Sequence, residues 1–138
     1  MRTRLVLATI PVALLGVAVA PSLAAPKKPI EKSYTASAPV PGAAVGCDGF
    51  VPDSAQLDEF KVPAAGTLKI DLTNFLGDWD LALLSGETEL GASQNIQPVD
   101  GDAENITVKL KKATTVTIIA CNYSGGPTGD VALMFTFA

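Results

Sequence analysis

The 138-residue sequence predicts an all-β fold, a single antiparallel β-sandwich or jelly-roll-like domain closed by one disulfide. Three observations predict it. Beyond about residue 50, apolar residues alternate with polar ones in short runs, the period of a half-buried strand. Clusters of Gly, Pro, Asn and Ser separate those runs, and no stretch carries helical spacing. The chain also holds just two cysteines, Cys47 and Cys121, behind what reads as an export signal. In an oxidising compartment such a pair is expected to bridge.

The signal spans residues 1–24, with cleavage near Ala24 or Ala25. Arg2 and Arg4 make a short basic start, Leu5 to Ala20 is apolar, and Ser22-Leu23-Ala24 places small residues where a signal peptidase reads. The apolar run is short of the ~20 residues that span a bilayer. No cysteine follows it to carry a lipid anchor, and separated arginines favour the general secretory route over the twin-arginine one. Residues 25–46 read as a Pro/Ala-rich linker, poorly packed, with a possible edge strand at Glu31 to Ala36 between prolines.

The domain is expected over 47–138. Leu57 to Val62 is the first strand, ended by Pro63-Ala64-Ala65-Gly66. Thr67 to Asn74 alternates cleanly, with Leu68, Ile70 and Leu72 on one face. The next strand is centred on the only tryptophan, so Trp79, Leu81 and Leu83 share a face while Asp80 and Ala82 take the other. Trp79 is therefore expected in the core, with Asp78 and Asp80 serving a turn or facing water. A shorter strand runs from Glu87 to Ser93, and the acidic stretch 97–105 reads as a solvated loop. Ile106, Val108 and Leu110 then alternate with Thr107, Lys109 and Lys111. Thr114 to Cys121 is apolar on both faces, the mark of a central strand. Val131 to Phe137 closes the domain, with Val131, Leu133, Phe135 and Phe137 inward.

Composition narrows the chemistry. Without the signal, eight lysines face fourteen acidic residues, a net charge of −6. Such a body lacks the basic patch that nucleic acid or an anionic membrane requires. The sequence has no histidine, which removes Ser-His-Asp and Cys-His catalysis and the common zinc sites. Neither Ser85 nor Ser124 lies in a Gly-x-Ser-x-Gly elbow, and the glycine pair Gly125-Gly126 runs into Pro127 rather than a phosphate loop. No catalytic residue is assigned, and no cofactor is expected. Calcium is the one ligand for which the sequence offers chemistry, through Asp78, Asp80, Asp100, Asp102 and Glu104. The stretch from Asp100 starts like a calcium loop, but Asn105 stands where such a loop needs glycine and Lys111 where it needs glutamate. At most millimolar affinity is expected. Asn105-Ile106-Thr107 and Asn122-Tyr123-Ser124 match the glycosylation triplet.

Three groups of residues resemble the bacterial pre-peptidase C-terminal domain. They are Phe60-Lys61-Val62-Pro63-Ala64-Ala65-Gly66, then Gly77-Asp78-Trp79-Asp80-Leu81-Ala82-Leu83, then Val116-Thr117-Ile118 before Asn122-Tyr123-Ser124-Gly125-Gly126. The resemblance covers about residues 55–137 and implies a small secreted β-sandwich, usually appended to exported proteases. It also implies that Asp80 is a structural hydrogen-bonding position. The chain departs from the family in having Ala82 where an aromatic is usual, and in showing no protease ahead of the domain. The function expected is a free-standing, secreted, non-catalytic binding or accessory module. It would act as a monomer on a partner protein or polysaccharide at the cell surface or cell wall. A small carboxylate-based hydrolase and a purely structural envelope protein are the alternatives.

Overall fold

The computed structural model describes residues 26–49, 51–95 and 103–138. The expected signal segment and the calcium candidates Asp100 and Asp102 lie outside the described residues. Eight strands are described: β1 (Ile30–Ser37), β2 (Ala55–Val62), β3 (Gly66–Thr73), β4 (Gly77–Ser85), β5 (Thr88–Ser93), β6 (Glu104–Leu110), β7 (Thr114–Gly125) and β8 (Thr128–Phe137). They form two four-stranded sheets, sheet A in the order β1-β8-β3-β6 and sheet B in the order β2-β7-β4-β5. Every strand pairing is antiparallel.

Period-2 alternation explains which residues fill the space between the sheets. Sheet A contributes Leu68, Ile70 and Leu72 from β3 and Val131, Leu133 and Phe135 from β8. Sheet B contributes Phe60 and Val62, then Trp79, Leu81 and Leu83, then Val116, Ile118 and Ala120. The chain changes sheet at each connection except the β4–β5 hairpin, so neighbours in sequence face each other across the core. β7 lies between β2 and β4, which accounts for its apolar residues on both faces.

The edge strand suggested at Glu31 to Ala36 is β1, at the edge of sheet A and paired along its whole length with β8, so the sandwich takes in residues ahead of Cys47. After β1 the expected linker is anchored at three points, Ala38, Ala43 and Gly46, which are buried while the residues between them stay exposed. Residues 38–49 form a strap that leaves sheet A, crosses the outer face of sheet B and makes one 3-10 turn at Val45–Cys47. Beneath it lies a second apolar cluster of Ala43, Cys47, Ala82, Ile119 and Cys121. Small side chains let the strap approach the sheet, and proline there reflects the absence of ladder pairing rather than a loose chain. The predicted disulfide joins Cys47 to Cys121 with a Cα–Cα distance of 5.8 Å, inside the usual range.

Candidate functional site

Two carboxylates withdrawn from water, Asp80 and Glu104, lie toward the end of the sandwich where β4 begins, while Tyr34, whose hydroxyl burial holds well above its usual range, lies apart on β1. Asp80 lies on the outer face of sheet B, opposite Cys121 in the register, and the strap covers it until only 3% is exposed. This corrects the expectation that Asp80 faces water. Gly46 holds φ +70° in the 3-10 turn, a left-handed conformation that glycine adopts without a Cβ penalty. That geometry aims its N–H at Asp80 Oδ2, 2.6 Å away. Burial pushes the Asp80 carboxyl up to about 6; the Gly46 N–H opposes the shift, and the charges of Asp78 and Glu104 add to it.

Glu104 is the second correction. It opens β6 opposite Leu72 and points into the sandwich, fully buried, not into a solvated acidic turn. Its Oε1 accepts the Asn95 backbone N–H at 3.1 Å and its Oε2 the Asn95 side-chain amide at 3.3 Å. Parity along β6 carried the signal: Glu104 shares the face of Ile106, Val108 and Leu110. Asp78 is half-buried at the head of β4, beside a bulge in the pairing with β7.

Asn122 is the polar hub that sequence reasoning missed. Fully buried, it donates from Nδ2 to the Ala38 carbonyl at 2.8 Å and the Gly126 carbonyl at 3.0 Å. Its backbone N–H bonds Ser54 O, while its carbonyl accepts the N–H groups of Gly42 and Ala43. The Trp79 indole N–H shares the Gly126 carbonyl at 3.1 Å. Trp79 is thus a core residue with a satisfied polar edge. Gly77 and Gly125 lie where β4 and β7 come closest, and a Cβ on Gly77 would meet Ser124 O at 2.3 Å. In the sequence Asn122 stood in a glycosylation triplet and in the third motif of the family resemblance, but neither assigned it a role in the core.

Chemically, these groups serve the fold. The Gly46 N–H tied to Asp80 seats the strap, and the Asn95 donors tied to Glu104 hold the end of β5 against β6. Among the described residues no three of His, Cys, Asp or Glu lie close enough to hold a metal. A shallow groove of about 380 Å³ crosses the outer face of sheet A instead, lined by Glu31, Ser33, Lys69, Asp71, Ala132 and Met134. It is wide open to solvent, and Lys69 and Asp71 within it pair with each other at 2.8 Å.

Known structures place this architecture. The crystal structure of the pre-peptidase C-terminal domain of collagenase from Bacillus anthracis superposes with a TM-score of 0.51 at 15% identity, over 75% of this chain and 87% of that domain. That likeness shows the fold. Two structures of infectious bursal disease virus, the VP2 subviral particle and the Gx strain, reach TM-scores of 0.35 and 0.34, at 8% and 11% identity. They cover 89% of this chain and 37% and 38% of their own, and are too distant in shape to carry an argument. No protein-family model and no curated protein matches the chain.

Proposed function

We propose that this protein is a non-catalytic binding or accessory module of the pre-peptidase C-terminal kind, exported and working outside the cell on a surface polymer or partner protein. The observation that carries the proposal is the shared sandwich, which spans most of both chains. The three sequence motifs support it by falling on β2–β3, on β4 and on β7 in that order. The Cys47–Cys121 bridge suits an oxidising compartment. The hydrolase alternative draws less support from the site. Its best candidate acid, Asp80, is shut beneath the strap and bonded to Gly46, away from any substrate.

Cosedimentation of the oxidised protein with cell wall and with secreted protein from its own source tests the proposal. Saturable binding that leaves the bound material chemically unchanged is expected. Release of sugar or peptide by the pure protein, lost in Asp80→Asn, would overturn it.

A further inference from the structure

We infer that the outer face of sheet B, where the strap leaves it open, docks a partner protein through a segment of aliphatic side chains flanked by lysine or arginine. This rests on the reading of the chain as a binding module and names its surface and the chemistry of its partner.

Two cross-strand rows define the face. Leu57, Ile119, Ala82 and Ala92 stand opposite one another across β2, β7, β4 and β5. The strap seals the middle of this row, leaving Ile119 and Ala82 4% exposed, while Leu57 at its end is 51% exposed. Val45, on the 3-10 turn above, is 53% exposed. The adjoining row is Glu59, Thr117, Leu84 and Glu89. An aliphatic side chain therefore sits between carboxylates, one on each edge strand of the sheet.

The rim repeats that pattern. Asp48 lies near the end of the strap, Asp53 precedes β2, and Glu87 lies in the β4–β5 turn, all exposed. With Glu59 and Glu89 they make five carboxylates, against Lys61 on this face and Lys111 and Lys112 in the turn that leads into β7. None of the five forms an ion pair among the described residues, whereas Lys32 pairs with Asp58 and Lys69 with Asp71 elsewhere. Accessible aliphatic side chains at Leu57, Val45 and Leu84, set among more carboxylates than lysines, complement an apolar segment with basic flanks, and the excess of acid steers such a partner while it repels anionic surfaces. Neither row offers the aromatic ring on which a sugar would stack. The outer face of sheet A, by contrast, intersperses lysines with its acids and carries mainly Ser, Thr and charged side chains.

Amide NMR of the oxidised protein, titrated with a short synthetic peptide of alternating leucine and lysine and with its leucine–glutamate counterpart, decides this. The lysine peptide is expected to shift Val45, Leu57, Leu84 and Thr117, with binding that weakens as salt rises. Leu57→Ser should weaken it by about tenfold, as loss of an anchor does. Because both side chains are exposed, the Glu59→Gln/Glu89→Gln variant keeps the fold, and it should weaken binding similarly. The glutamate peptide should leave the spectrum unchanged. Shifts mapping to sheet A, equal binding of both peptides, or full affinity in Leu57→Ser overturns the face and leaves the binding module standing on cosedimentation. Absence of any peptide binding overturns the face too, whereas failure of cosedimentation alone falls on the broader reading.

Discussion

The Gly46 N–H donates to Asp80 Oδ2 at 2.6 Å beneath the strap, so one hydrogen bond seats the strap and buries a carboxylate. The disulfide next to it joins Cys47 to Cys121, the residue facing Asp80 across the β4–β7 ladder. Strap and sheet thus meet through a covalent tie and a polar one at adjacent positions.

Asp80 should make stability depend on pH. Its carboxyl stands at about 6 in the folded protein against 3.8 when unperturbed, through burial first. Between those values the folded state holds the proton that the unfolded state has released, so stability rises as pH falls through the window. The displacement corresponds to about 3 kcal/mol. At lower pH Asp130 acts oppositely, because Asn74 and Thr35 donate to its carboxylate and hold it below its usual range. Urea midpoints should therefore rise from pH 7 to pH 5. Asp80→Asn should be more stable than the parent at pH 7 and flat across that window. A parent midpoint that falls toward pH 5 contradicts the assignment.

Replacing both cysteines by alanine frees a loop with a sequence separation of 74. The chain-entropy model gives a loss of about 4 kcal/mol. The main core excludes both cysteines, so near-ultraviolet dichroism from Trp79 should survive at low temperature. Thiol labelling of the unreduced, unfolded parent should find no free thiol.

Trp79 is fully buried and packs against Phe75 with ring centroids 6.3 Å apart. Trp79→Ala should cost about 3–5 kcal/mol, read by chemical denaturation. Native fluorescence of the parent should be blue-shifted; a water-like maximum would place the ring outside the core.

Asn122→Asp replaces an amide that donates to two carbonyls with a carboxylate that repels them. A loss of about 3 kcal/mol or more is expected from burying an unpaired charge. Asn122→Ala should cost less, about 1–3 kcal/mol for the Ala38 carbonyl left without its donor, because the Trp79 indole still bonds the Gly126 carbonyl. Equal stability of the two variants would remove Asn122 from its place at the hub.

Much of the sandwich was legible because its strands obey one rule. Trp79, Leu81 and Leu83 alternate with shorter side chains, and the two apolar faces of β7 mark it as central. The strap was not legible, since Ala38, Ala43 and Gly46 have no period and little apolar bulk. What buries them is the approach of another backbone, which composition does not encode. Asp80 followed the strap out of view, because its burial depends on which segment crosses sheet B. Glu104 was hidden by the acidic stretch before it, although its parity with Ile106 pointed inward.

Amide hydrogen exchange at Gly42, Ala43 and Gly46 tests most directly whether the strap is an integral part of the sandwich. Each N–H is bonded to Asn122 or Asp80, so in the oxidised protein all three should exchange slowly, on the timescale of β7. Reduction should speed Gly46 most, since Cys47 is its neighbour. Exchange at the rate of an unstructured chain in the oxidised protein would contradict the account.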